Sequence, residues 1–171
     1  MSTPANLPSG YTLVEGYPSV EDYMHLRRAS GLTPVNAHQA RAAATGAWYG
    51  CYAVSTAETA SPVAMGRIIG DGGWYFIIAD MAVLPEHQRR GLGDAILKTL
   101  LERIRTHAAE GDAYVTLFAD VPGRRLYERN GFKEAMPREM GMDLVLKDVG
   151  TGGSQGGQPE DNQSNETVSS Q

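Results

Sequence analysis

The chain has 171 residues, 42% of them hydrophobic, with a formal net charge of −5 at pH 7. That is enough for one domain with a real core, and the wrong sign for nonspecific nucleic-acid binding as its main task. The lone cysteine, Cys51, excludes an internal disulfide, no apolar run reaches the length of a membrane span, and the N-terminus lacks a basic-then-apolar leader, so the cytoplasm is the expected compartment.

Residues 1–8 are expected to be flexible, residues 9–148 to form the folded domain, and residues 149–171 to be disordered. That tail is Gly, Ser, Gln, Asn, Thr and acid, too polar to offset its ordering entropy. Its Asn162-Gln163-Ser164 and Asn165-Glu166-Thr167 triplets match the glycosylation acceptor but read as accidents of a polar tail. Within the folded part, Tyr11 to Val14 predicts a first strand. Ser19 is a candidate N-cap, with Asp22 completing an approximate capping box; the helix turns Tyr23, Leu26 and Met24 inward and ends near Gly31. A second helix is expected over Ala37 to Thr45. Trp48 to Val54 is strand-like, with Cys51 as a core residue, and Val63 to Ile69 is the next strand. Asp71-Gly72-Gly73 makes a hairpin turn, and Trp74 to Val83, nearly all apolar, predicts a central strand buried on both faces.

A helix with a 3.6-residue apolar stripe, Leu92, Ile96, Leu100 and Ile104 with Leu97 and Leu101 beside it, is expected from about Gly91 to Ala109, stopped by Gly111. Ala113 to Ala119 predicts another buried strand, parallel to the one before the helix. Asp120 and Pro122 open a short helix ending at Asn130-Gly131, and Phe132 to Ala135 and Met140 to Leu146 supply two last strands. The class is α/β (α+β), a mixed sheet with helices on both faces.

The string Gln88-Arg89-Arg90-Gly91-Leu92-Gly93 joins the central strand to the striped helix. The first N–H groups of a helix have no intrahelical partner and lie at its positive end, so a glycine-rich turn there suits phosphate. Gly91 and Gly93 would let a ligand approach the backbone, and Arg89 and Arg90 add positive charge. A diphosphate-bearing cofactor is the expected ligand. A dinucleotide fingerprint is excluded because its third glycine position is Ile96, and a P-loop because Gly93 is followed by Asp94-Ala95.

What remains, Q-x-x-G-x-G after Asp80-Met81-Ala82-Val83-Leu84-Pro85-Glu86-His87, resembles the pyrophosphate motif of the GNAT superfamily of N-acetyltransferases. Leu126-Tyr127-Glu128-Arg129-Asn130-Gly131-Phe132 is similar to a second motif of that family, L-Y-x-x-x-G-F. The resemblance covers roughly Tyr11 to Leu146. It implies a GNAT fold with a central sheet of six to seven strands, the parallel strands 4 and 5 splayed apart, and acetyl-CoA or coenzyme A as cosubstrate with no metal. It implies that Met81, Ala82 and Val83 bond the pantetheine arm as an added strand would, and that Gln88, Arg89, Arg90, Gly91, Leu92, Gly93 and Asp94 hold the pyrophosphate, with the Asp94 side chain turned away. Asp120 stands where many relatives carry a cofactor-contacting asparagine, and can only accept hydrogen bonds when ionised; Arg125 is a candidate for the adenosine phosphates.

By the same resemblance Tyr127 is the general acid that reprotonates the departing thiolate, a role a phenol can fill. The positions where the family often carries a base are Ile77 and Ala79, which cannot accept a proton. Asp80 is the remaining candidate, although strand alternation points it opposite to Ala79, and a structural acid or a water chain are the other readings. His25, His38 and His87 are expected on the surface. Tyr23, Trp48, Tyr49, Trp74, Tyr75 and Phe76 fall where the acceptor pocket should be, and a surplus aromatic wall would suit an arylalkylamine or another compact amine. The expected function is acetyl transfer to the primary amine of a small molecule (an arylalkylamine, an amino sugar or similar) by a monomer or homodimer, with no nucleic-acid or membrane partner. A noncatalytic acyl-CoA-binding module and a protein or peptide N-acetyltransferase remain alternatives.

Overall fold

The computed structural model describes residues 7–57 and 61–147; the expectations for residues 1–6 and 148–171, the tail among them, lie outside the described residues. Two compact units divide at Glu134/Ala135. The first holds a five-stranded sheet in the order β1-β2-β3-β4-β5: β1 Tyr11–Glu15, β2 Tyr49–Ser55, β3 Pro62–Gly70, β4 Tyr75–Val83 and β5 Tyr114–Thr116. Strands β1 to β4 pair antiparallel, while β5, reached through helix α3 (Leu92–His107), lies parallel to β4.

Helix α1 (Val20–Ala29) starts where Ser19 predicts. Ser19 Oγ accepts from the Asp22 N–H (3.1 Å) and donates to the Asp22 carboxylate (2.7 Å), so Asp22 returns to the cap hydroxyl instead of closing the capping box on the backbone. Helix α2 (Ala37–Gly46) has the full box, Asn36 with Gln39. The hairpin turn holds because Asp71 Oδ1 accepts from the N–H groups of Gly73, Trp74 and Tyr75 (2.8, 3.0 and 3.2 Å).

The two faces of the sheet carry different helices. A Cβ on Gly66 of β3 would lie 2.6 Å from Met81 Sδ, 2.7 Å from Ile96 Cγ2 and 3.1 Å from Leu100 Cδ1, so the even face of β3 lies on α3. The next residue, Arg67, reaches the opposite face, where α1 and α2 sit. The core between sheet and α3 is built from Ile68, Phe76, Leu92, Ile96, Leu97 and Leu100, each at most 1% exposed; the other face buries Tyr23, Leu26 and Ala40.

Several expectations are corrected. Among the described residues the sheet has five strands, not six to seven. Phe132 packs edge-on against Tyr127 (centroids 6.0 Å) instead of starting a strand, and Met140 to Leu146, in the second unit, forms no strand among the described residues. Apolar composition marks a preference for burial, but a strand needs an edge to pair with, and β5 presents only three residues. Ala113 to Ala119 shrinks to those three, and Phe118 is exposed. Strand β4 is not buried on both faces: Phe76 and Ile78 are, while Tyr75 and Ile77 are 57% and 37% exposed. Helix α3 stops at His107, before Gly111 is reached.

The close approach of α3 at Gly66 gives a direct test. Gly66→Val forces Met81, Ile96 and Leu100 aside, and overpacking of this kind costs about 1–3 kcal/mol; chemical denaturation of the variant should show that loss with an unchanged m value.

Candidate active site

Strands β4 and β5 share three register pairs, Tyr75 with Tyr114, Phe76 with Val115 and Ile77 with Thr116. Beyond Ile77, β4 continues to Val83 with β3 on one edge and no strand on the other among the described residues. The split leaves an extended backbone edge over Ile78 to Val83, about 20 Å at the usual rise per residue. Ladder groups there are available to an extended ligand, as in strand addition. Met81, Ala82 and Val83 lie on this stretch, and the Val83 carbonyl accepts from Gln88 Nε2 (3.0 Å).

At the end of β4 the chain passes through a 3-10 turn, Pro85–His87, into the glycine turn. Arg89 (φ 58°) and Gly91 (φ 89°) are both left-handed, a conformation that strains a non-glycine residue such as Arg89. Gly91 is the N-cap of α3, and the first intrahelical bond runs from Ala95 N to Gly91 O (3.0 Å). The N–H groups of Leu92, Gly93 and Asp94 therefore have no intrahelical acceptor, and successive N–H groups in such a turn form an anion-binding concavity. Gln88, Arg89, Arg90 and Gly91 are exposed. Arg90 braces the turn, donating to the Glu86 carbonyl (2.8 Å) and to Tyr11 Oη (3.0 Å). His87 is not on the surface: it is 5% exposed, with Nδ1 3.0 Å from Tyr11 Oη. Tyr11 thus pins the loop to β1.

The two glycines meet different backbone demands. Gly91 is required by its positive φ. A Cβ on Gly93 would point inward, 3.4 Å from Leu126 Cδ2 and 3.8 Å from Val83 Cγ2. At Gly93, therefore, the end of β4, the start of α3 and helix α4 (Arg124–Arg129) converge. Asp94 reinforces the junction, accepting from Asn130 Nδ2 (2.8 Å) and pairing with Lys98 (2.6 Å).

Tyr127 is on α4 beside Leu126. Its ring passes Gly123, where a Cβ would stand 3.1 Å from Cε2. Burial, and then the charge of Asp120, raise its phenol above the ordinary pKa of 10.0, so the proton is held at neutral pH. Asp120 does not cap with its side chain as expected; only its backbone carbonyl engages, accepting from Gly123 N (2.9 Å), which leaves the carboxylate to act on Tyr127 through its charge. Arg125 is exposed.

Asp80 occupies a bulge. The register steps from Arg67–Ala79 to Met65–Ala82, placing two β4 residues opposite one of β3, and Asp80 takes φ 54°. Alternation therefore fails here. Asp80 turns to the face of Arg67 and Ala79, where its carboxylate receives Arg27 Nη1, Arg67 Nε and Tyr23 Oη. Arg27 also donates to the Thr33 carbonyl (2.9 and 2.8 Å) and Arg67 to that of Ala43 (3.3 Å). Burial works to raise the Asp80 pKa, but hydrogen bonds from Tyr23 and Arg67 and the two guanidinium charges hold it below the usual carboxylate range. Sequence reading missed Arg27 and Arg67. The available signal was an arginine inside an apolar strand, since a buried guanidinium needs a carboxylate.

The expected aromatic wall is dispersed. Trp48 packs on Phe76 (5.0 Å), Tyr49 lies under Arg103 of α3 (4.7 Å), and Tyr23 belongs to the Asp80 cluster. Trp74, Tyr75 and Tyr114 stack together at the outer end of β4 and β5. Among the described residues no cluster could hold a metal ion, and no helix is long and apolar enough to cross a membrane.

Over residues 48–134 the chain matches the family described as acetyltransferase (GNAT) domain. The chain belongs to the GNAT acetyltransferase family. A probable acetyltransferase of unknown function from methicillin-resistant Staphylococcus aureus is 31% identical, with TM-score 0.73, the match covering 80% of this chain and 99% of that one. A ribosomal-protein alanine N-acetyltransferase from Escherichia coli (19%, TM-score 0.60, 73% and 79% covered) and glucosamine-6-phosphate N-acetyltransferase from Arabidopsis thaliana (14%, TM-score 0.57, 80% and 98%) share the fold. No curated relative matches by sequence. The acetyltransferase thus keeps its family's N-acetyltransferase activity, while these two proteins that share its fold differ in what they modify.

Asp80 gives a test of the acetyltransferase's stability. A carboxylate depressed in the folded state stabilises it above the unfolded pKa, about 3.9, and this contribution is lost as pH falls through the folded value. Asp80→Asn leaves two guanidinium groups without their counter-charge, a loss of about 3–5 kcal/mol at neutral pH. Denaturation curves of the two proteins should converge as the pH drops below about 4.

Proposed function

We propose that this acetyltransferase moves an acetyl group from acetyl-CoA to the primary amine of a small molecule in the cytoplasm, with Tyr127 as general acid. The observation that carries the reading is the convergence at Gly93: the open edge of β4, the unpaired N–H groups of α3 and the helix bearing Tyr127 meet at one residue.

The residues present fit the cosubstrate. Met81, Ala82 and Val83 would hold its arm along the open edge. The turn from Gln88 to Asp94 would hold the pyrophosphate through backbone N–H groups, and Arg125 would reach the outer phosphates. Asp120 acts on Tyr127 through its charge. Bound acetyl-CoA supplies an activated acetyl thioester. The amine nitrogen forms the new C–N bond, the C–S bond breaks, and Tyr127 gives its proton to the sulfur; the amine's surplus proton goes to water. Asp80 does not serve as the base in this reading, because two arginines and Tyr23 already occupy its oxygens.

Gly91→Val places a β-branched residue at φ 89° and distorts the phosphate turn. Coenzyme A affinity measured by calorimetry should fall at least tenfold while the fold survives by circular dichroism; unchanged affinity moves the pyrophosphate elsewhere. Tyr127→Phe keeps the ring and removes the acid, so turnover in a thiol-release assay should drop about a hundred- to ten-thousandfold with little change in coenzyme A binding. Because burial and Asp120 raise the phenol, the wild-type rate should hold to pH values above about 10 before its alkaline fall, and the variant should lack that limb. Wild-type turnover in Tyr127→Phe removes the acid assignment.

A further inference from the structure

The Asp80 cluster is not neutral. Two guanidinium groups, with side chains 12% and 14% exposed, share one carboxylate that is 10% exposed. The other polar groups facing it are Tyr23 from α1, Tyr17 from the turn before α1, Cys51 from β2, and the carbonyls of Ala43 in α2 and of Thr33, which accept from the arginines. Burial raises both phenols and pushes the Cys51 thiol up to about 12, so all three are uncharged at neutral pH. The carboxylate beyond Cys51, Glu15, is paired with Arg103 (3.6 Å). The cluster therefore keeps a formal charge of +1. A partly open pocket of about 10 Å³ beside it is lined by Tyr17, Cys51, Arg67 and Asp80, and Tyr17 Oη is buried there without a hydrogen-bond partner. With the three charged side chains only 10–14% exposed, solvent screens the charge less than at the surface.

Its position matters as much as its sign. Asp80 lies three residues past Ile77, the last residue of β4 paired with β5, and three before Val83, in the middle of the open edge. The bulge puts it on the face where Tyr75 and Ile77 are exposed.

We propose that the Arg27–Asp80–Arg67 cluster acts through its surplus positive charge to hold the bound acceptor in its neutral, nucleophilic amine form, in place of a general base. This rests on the acetyl-transfer reading above. The acceptor ammonium gives one proton to solvent water, and the resulting amine lone pair is free to attack. A like charge nearby disfavours the ammonium. A net unit charge within about 10 Å, at the effective dielectric of a partly buried site, shifts the equilibrium by about one pH unit. The three residues need not touch the substrate.

The test is the pH dependence of kcat at saturating acceptor, which reports ionisations in the bound complex. In the wild type the acid limb should lie about one unit below the pKa of the free amine. This arm needs no variant, and a limb at or above the free-amine value overturns the inference. Arg67→Gln and Arg27→Gln bring the cluster to zero and should move the limb up by about one unit; Asp80→Asn brings it to +2 and should move it down by a similar amount. The double variant Arg67→Gln/Asp80→Asn restores +1 and should restore the wild-type limb. Opposite signs cannot come from loosened packing, which lowers the rate without ordering the limbs by charge. If Asp80→Asn instead abolishes the reaction across the profile in a folded protein, Asp80 is a base and the inference fails. An active enzyme whose limb ignores these charges loses this inference alone; absence of thiol release with every amine strikes the acetyl-transfer reading, and this inference with it.

Discussion

One carboxylate organises the face of the sheet that carries α1 and α2. Asp80 sits in a left-handed bulge of the strand that borders the split, and it receives hydrogen bonds from β3 and twice from α1. A non-glycine residue at positive φ is costly and persists only where its surroundings over-determine it. Here the surroundings are Tyr23, Arg27 and Arg67, whose spare donors reach the carbonyls of Thr33 and Ala43. Strain in β4, the placing of α1 on the sheet and the connection to α2 are consequently one arrangement. Its cost is a buried, charged cluster, which is a weak source of stability compared with apolar packing and a strong source of field.

The other constraint is geometric. Two parallel strands separate after three residue pairs because β5 is short while β4 runs on to Val83. The separated edge would be an unsatisfied ladder in a closed sheet; under the proposed function it is the seat of the cosubstrate. The same strand then delivers the chain into the turn at Arg89 and Gly91, so the open edge and the glycine turn are consecutive along one backbone. Gly93 joins them to the helix bearing Tyr127 by being small enough for Leu126 and Val83 to approach. Asp94, which reads as an awkward neighbour for phosphate, is absorbed by Asn130 and Lys98 and fixes that helix in place.

The sequence by itself determined the local features, because each is written in a short window. The helix caps at Ser19 and the stripe on α3 follow from hydrogen-bonding side chains and a 3.6-residue period; the turn at Asp71 follows from an acid before two glycines; the parallel β4–β5 pair follows from a helix between two apolar runs. The turn at Gly91 and the short helix carrying Tyr127 were legible for the same reason, as contiguous motifs. Only the tertiary structure decided the rest. Arg27 and Asp80 are 53 residues apart and Arg67 and Asp80 are 13 apart, so no window holds the cluster, and one inserted bulge residue reverses the face that alternation assigns to Asp80. The buried place of His87 depends on Tyr11, 76 residues away. The inward direction of Gly93 and the dispersal of the aromatic residues depend on which helix covers which face. The apolar segments after β5 show the same limit from the other side: hydrophobicity is a property of a segment, whereas a strand is a property of a segment and its partner.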